Sequence, residues 1–205
     1  MSYNTIKGFS SDEFIINKSR FIVSISHVGN IAQANDFVGK ISKQHFDATH
    51  NVFAYRIRNE NIDRYSDDGE PQGTAGLPLL SVLVKENLTD VCVVATRYFG
   101  GILLGGGGLV RAYSHCGKIA VDSAQIEHMI ESVDFSITCE YPLYGKINFI
   151  LPDFDVKVIE TVFSETVKIT LRIKYDFFKK FQKALIELSG NSVSIDTISQ
   201  GFDSF

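Results

Sequence analysis

The stretch Thr96-Arg97-Tyr98-Phe99-Gly100-Gly101-Ile102-Leu103-Leu104-Gly105-Gly106-Gly107-Gly108-Leu109-Val110-Arg111-Ala112-Tyr113 holds six glycines between two arginines. Glycine permits positive φ and lets a ligand or another backbone come close. A helix that starts in such a turn offers unpaired N–H groups and the positive end of its dipole. Together these can hold an anion. Arg97 and Arg111 would supply the charge, and Gly100, Gly101, Gly105, Gly107 and Gly108 the wrapping backbone. The spacing is neither that of a P-loop nor that of a dinucleotide fingerprint: there is no Lys-Ser or Lys-Thr pair and no GxGxxG. The same residues also suit a tight turn whose glycines serve packing and whose arginines pair with nearby acids.

The acids are close by in sequence. Ser66-Asp67-Asp68-Gly69-Glu70-Pro71-Gln72-Gly73-Thr74-Ala75-Gly76 places Asp67, Asp68 and Glu70 within four positions. Carboxylates so crowded repel one another unless something positive is near. Ion pairs with Arg97 or Arg111 come first among the outcomes, a solvated loop second and a divalent cation third. The run of ligands and the closing glutamate of a calcium loop are missing, so no metal is assigned. If the acids neutralise the arginines, the anion site weakens, and the two segments therefore compete.

His50 follows Asp47-Ala48-Thr49 at a strand start, where it can act as an acid or base or be a structural histidine. Lys18 and Arg20 extend a basic edge or are ordinary exposed charge. Ser66 and Ser114 lie in no nucleophile elbow. Cys92, Cys116 and Cys139 are far apart and odd in number, which gives neither a disulfide framework nor a metal pair. No catalytic residue and no cofactor is assigned.

The elements that must position these groups follow from periodicity. Phe14–Ile16 and Phe21–Ile25 read as strands, Asn30 as the cap of a helix through Ile41, and His50–Arg58 as a strand. Asn59–Gln72 reads as a long polar loop, and Thr74 as the cap of a helix reaching Val84, with Pro78 in its first turn. Val91–Ala95 is a buried strand. The glycines form a turn, and a helix runs from Leu109 to about Ala124. The remainder gives strands Phe135–Tyr141, Val156–Phe163, Val167–Tyr175 and Val193–Ile198. Between them lie helices opened by Pro142 and Asp176. This βαββαβ order predicts a ferredoxin-like sheet with two helices on one face. The fold class is α+β, with domains over 1–133 and 134–205.

Apolar residues make up 44% and charged residues 21% of the 205 positions, which excludes a disordered chain. The net charge is −4, with 12 basic against 14 acidic side chains in the first part and 8 against 10 in the second. Neither part coats nucleic acid by bulk charge, and any phosphate contact must be local. The N-terminus lacks the apolar core of a signal peptide, and no apolar run spans a bilayer, so a cytoplasmic chain without membrane contact is expected.

Taken together, the two long segments resemble the signature of the IMPACT family. The pattern is Ser66-Asp67-Asp68-Gly69-Glu70-Pro71-x-Gly73-Thr74-Ala75-Gly76-x-Pro78, then Arg97 to Ile102, then Leu104-Gly105-x-Gly107-Gly108-Leu109-Val110-Arg111-Ala112-Tyr113. Lys18-Ser19-Arg20-Phe21-Ile22 and Ala48-x-His50 also fit, and the likeness covers the whole chain, as in the bacterial YigZ-type members. Gly106 departs from the small polar residue expected there. The resemblance implies an N-terminal ribosomal-protein-like βαβ domain and a C-terminal ferredoxin-like domain, similar to domains IV and V of elongation factor G. It also implies a role in regulating translation. Eukaryotic members do this through a protein partner that they engage partly with an extra domain not found in this chain. For bacterial members it implies nucleic-acid or ribosome binding.

Two classes of function follow. One is a translation-linked binding protein that contacts RNA or the ribosome through the glycine turn, Arg97 and Arg111, with a protein partner in translation control as a further expectation. The other is a small-molecule, hydrolase-like enzyme using the acidic loop and His50 around a bound anion. A scaffold whose acidic loop is the contact surface is a third.

Overall fold

The structure, a computed structural model, describes residues 2–205. They form two compact units, Tyr3–His128 and, with Ser2, Met129–Phe205. The first unit contains β1 (Ser2–Ile6), β2 (Phe9–Ile16), β3 (Ser19–His27), α1 (Ile31–Gln44), β4 (His50–Ile57), β5 (Ile62–Ser66), α2 (Gly76–Lys85), β6 (Val91–Tyr98) and α3 (Gly105–Ser123). Its sheet runs β2-β3-β6-β4-β5, every neighbour antiparallel. β3 and β4 therefore run parallel on either side of β6, joined by α1, which is the βαβ arrangement that the family resemblance implies.

Strand β6 explains why its apolar run does not alternate. Val91, Val93 and Ala95 face the core built with α2 and α3, while Cys92 and Val94 face the core built with α1. A strand covered on both faces must be apolar on both. Helix α1 starts where expected: the Asn30 side chain accepts from the Gln33 N–H at 2.9 Å. The β2–β3 turn is Asn17 and Lys18, with φ of 47° and 63°, the positive values that two-residue hairpins demand.

Three expectations need correction. The polar segment Asn59–Gln72 is not one loop, because Ile62–Ser66 pairs with β4 as an edge strand. Its central residues are exposed, so it carries little apolar signal. Helix α2 is not capped by Thr74, whose hydroxyl donates to the Pro71 carbonyl at 2.6 Å. Nor do the glycines end before α3, since Gly105–Gly108 form its first turn.

The second unit is built from most of β7 (Ile126–Cys139), then α4 (Tyr141–Ile150), a 3-10 turn (Leu151–Phe154), β8 (Lys157–Phe163), β9 (Val167–Lys174), α5 (Tyr175–Ser189) and β10 (Ser194–Ser204). The sheet order β10-β7-β9-β8, all antiparallel, is the ferredoxin-like one. Ile147, Phe181 and Leu185 cover its apolar face over Phe135, Ile137, Ile169 and Leu171. β7 is continuous through Glu131–Asp134, where the sequence expectation divides the chain.

An ionic network joins β7, β8, β9 and β10 of this sheet, to which β1 adds a fifth strand beside β7. Arg172 on β9 donates to both oxygens of Asp134 on β7, at 2.6 and 2.7 Å. It also pairs with Asp203 on β10 at 2.8 Å, and Lys157 on β8 pairs with Asp203 at 3.3 Å. Hydrogen bonds from Arg172 hold the Asp134 carboxyl below its ordinary range. Burial alone would raise Asp203, but Arg172 and Lys157 outweigh it and lower it too. Carboxyls depressed by folding add stability that is complete above their unfolded value near pH ~4 and lost as pH falls through the folded value. Asp134→Asn should therefore cost about 1–3 kcal/mol at pH 7 in urea unfolding, with the gap to wild type closing towards pH ~2. A gap that stays constant with pH would show that the network does not titrate as described.

Candidate functional site

Strand register builds the site. Arg97 on β6 lies opposite Phe21 on β3 and opposite His50 on β4, so the three form a row across the sheet. Side chains directly opposite one another share a face, and Phe21 belongs to the core on the α2–α3 side. Arg97 is thus drawn under α3 and is only 5% exposed. A guanidinium buried this far needs partners. Its Nη1 donates to Glu70 Oε1 at 2.6 Å, and its Nη2 to Ser19 Oγ at 3.3 Å. The rings of Phe21 and Phe99 lie 5.5 and 5.4 Å from its central carbon.

Glu70 is the hub. Buried at 8% exposure, it also accepts from the Tyr113 hydroxyl at 2.8 Å, and His50 Nε2 stands 3.9 Å from the same oxygen. Burial, and then the Glu70 charge, push the Tyr113 hydroxyl far up, so it stays a donor. The other two acids serve the backbone. Asp67 accepts from the N–H groups of Gly73, Ala75 and Gly76 at 2.8, 3.1 and 2.8 Å, supplying the cap that Thr74 does not. Asp68 accepts from the Asn51 N–H at 2.5 Å, and its carbonyl meets His50 Nδ1 at 2.7 Å. The three carboxylates are thus separated in use. Among the described residues no cluster of His, Cys, Asp or Glu is placed to do so.

The glycines divide by task. A Cβ on Gly100 would lie 2.0 Å from the Lys18 backbone, so Gly100 exists to let the two chains touch. Gly101 has φ of +81°, and Gly108 faces Leu104. Gly105, at φ +69°, opens α3. The cap position is Leu104, which offers no side-chain acceptor, and the first turn holds no acid. The N–H groups of that turn therefore have no partner from a capping side chain.

Gly105 and Gly106 line a cleft of about 350 Å³ with Thr49, His50, Glu70, Pro71, Arg97, Phe99, Leu103, Leu104 and Leu109. His50, Glu70 and Arg97 converge there, while the Asp68 carboxylate is turned to Asn51. Arg111 lies exposed one turn along α3, its Nη1 3.7 Å from where a Gly107 Cβ would stand. It has no ion pair among the described residues. Arg97 does not present free charge to a ligand, because Glu70 neutralises it; Arg111 does. Lys18 is exposed and unpaired among the described residues, whereas Arg20 pairs with Glu13 at 2.5 Å. Sequence reasoning missed Ser19 and Thr49 as members of the site, and Tyr113, a candidate for stacking, is instead buried as a donor to Glu70. Thr49 fixes the loop by accepting from the Phe99 N–H at 3.0 Å.

Residues 17–121 match the Impact N-terminal domain, and residues 137–192 match a domain of unknown function, DUF1949. IMPACT family member YvyE of Bacillus subtilis (strain 168) is 39% identical over 203 residues, covering 95% of this chain and 90% of that protein. The chain belongs to the IMPACT family. IMPACT family member YigZ of Escherichia coli (strain K12) is 31% identical over 188 residues, covering 90% of this chain and 92% of that one. A crystal structure of a hypothetical protein superposes with a TM-score of 0.63 at 29% identity, covering 97% and 98% of the two chains. Among the described residues no helix is long and apolar enough to cross a membrane.

The buried pair makes a stability prediction. Arg97→Met leaves Glu70 buried without its cation and should cost about 3–5 kcal/mol in denaturant unfolding. Arg97→Met combined with Glu70→Leu should recover most of that loss. If Arg97→Met alone unfolds like wild type, the pair does not organise the site.

Proposed function

We propose that this IMPACT family chain is a translation-linked binding protein that contacts RNA or the ribosome through the first turn of α3. The observation that carries this reading is the uncapped glycine turn opening on a cleft, with the unpaired guanidinium of Arg111 beside it. Helix N-termini with exposed N–H groups favour phosphate oxygens. Lys18, whose backbone packs on Gly100, is exposed and adds a positive charge to this end of the unit. The open face of the second sheet is a poorer surface for RNA, because Asp134 and Asp203 already neutralise Arg172. Family membership supports the link to translation.

Arg97→Glu would set a second carboxylate against Glu70 and test folding rather than binding. Arg111→Glu and Lys18→Asn are the informative changes. Co-sedimentation with ribosomes and with total RNA should weaken in both variants at unchanged melting temperature. The dependence of log K on log salt should fall by about 0.7 per lost contact to single-stranded phosphate. Equal binding by wild type and both variants would sink the reading.

One arrangement favours a second reading, a hydrolase-like enzyme. His50 donates from Nδ1 to a backbone carbonyl in one tautomer, which leaves Nε2 as the basic nitrogen beside the cleft. Turnover of a phosphate ester that vanishes in His50→Gln, with the fold intact, would establish it.

A further inference from the structure

The cleft has two kinds of wall. One is polar: His50, Arg97, Glu70 and the backbone of Gly105 and Gly106. The other is apolar: Pro71, Phe99, Leu103, Leu104 and Leu109. Phe99 is 44% and Leu103 84% exposed, so both present apolar surface beside a polar floor. Phe99 gives one ring face to the Arg97 guanidinium, at 5.4 Å, which leaves the other for a planar group. Arg97, which lines the cleft, is 5% exposed, and its Nε–H, itself buried, has no acceptor. About 350 Å³ is at the small end of ligand sites.

From these features we infer that the cleft takes a single nucleotide unit, its phosphate on the N–H groups of Gly105 and Gly106 and its base against Phe99 and Leu103. This rests on the RNA reading above and sharpens it: the recognised element is an unpaired, splayed nucleotide rather than the backbone of a duplex. Stacking on an aromatic ring tolerates any base. The negative end of the ligand meets the helix dipole, while Glu70 stays held by Arg97 and Tyr113.

The test uses the full chain, with adenosine 5′-monophosphate, adenosine and inorganic phosphate as probes, followed by calorimetry and by the amide resonances of Gly105 and Gly106. The monophosphate should bind at least tenfold more tightly than either half-probe and shift both amides. Gly106→Asp has open space for its side chain and places a carboxylate at the helix start, where it suits the dipole. It should keep the melting temperature and weaken the monophosphate at least tenfold. Phe99→Ala should weaken the monophosphate while leaving inorganic phosphate unchanged. Inorganic phosphate binding as tightly as the monophosphate, or no shift at Gly105 and Gly106, overturns the inference. If that occurs while ribosome or RNA co-sedimentation persists in wild type, only the nucleotide pocket is wrong. If co-sedimentation is absent as well, the RNA reading falls with it.

Discussion

The first unit depends on one buried ion pair, Glu70 with Arg97. A guanidinium placed mid-sheet under a helix cannot shed its charge, so the fold must bring it an anion. The anion comes from a loop after β5, and the loop is held by its own hydrogen bonds to Asp67 and Asp68. Tyr113 reaches the same carboxylate from α3. One oxygen thus ties together a loop, the central strand and a helix. Such pairs specify an arrangement more than they stabilise it, since removing one partner is costly and removing both is not.

That constraint fixes where ligand chemistry is possible. With Arg97 and Glu70 committed to each other, the groups left facing the cleft are His50, the backbone of Gly105 and Gly106, and the apolar rim of Phe99 and Leu103. Thiol chemistry is closed off. Burial raises the Cys92 and Cys116 thiols, which removes thiolate nucleophiles. The Tyr113 hydroxyl is raised as well, by burial and then by Glu70. What remains suits recognition of an anion attached to a flat or apolar body.

The second unit shows the opposite economy. Its cations and acids are spent on one another across β7 to β10, from Lys157 to Asp203, Arg172 and Asp134. A sheet face organised in this way gains cohesion, whereas the glycine turn of the first unit leaves donors and Arg111 unspent.

Much of this protein was legible in the sequence, because the signals were local. The apolar run of β6, the Asn30 cap, the βαββαβ order and the family motifs are properties of neighbours along the chain. The polar edge strand β5 and the β1 segment were not, since they bury few apolar side chains and so carry little pattern. The glycines at 105–108 read as a turn because glycine propensity argues against helix; packing of α3 against the sheet overrode it. The sequence by itself singled out Arg97, Glu70 and His50 as candidates. Only the tertiary structure decided that Glu70 takes Arg97 rather than Arg111. Strand register sets Arg97 inside and helix phase sets Arg111 outside, and a buried cation must be paired while an exposed one need not be.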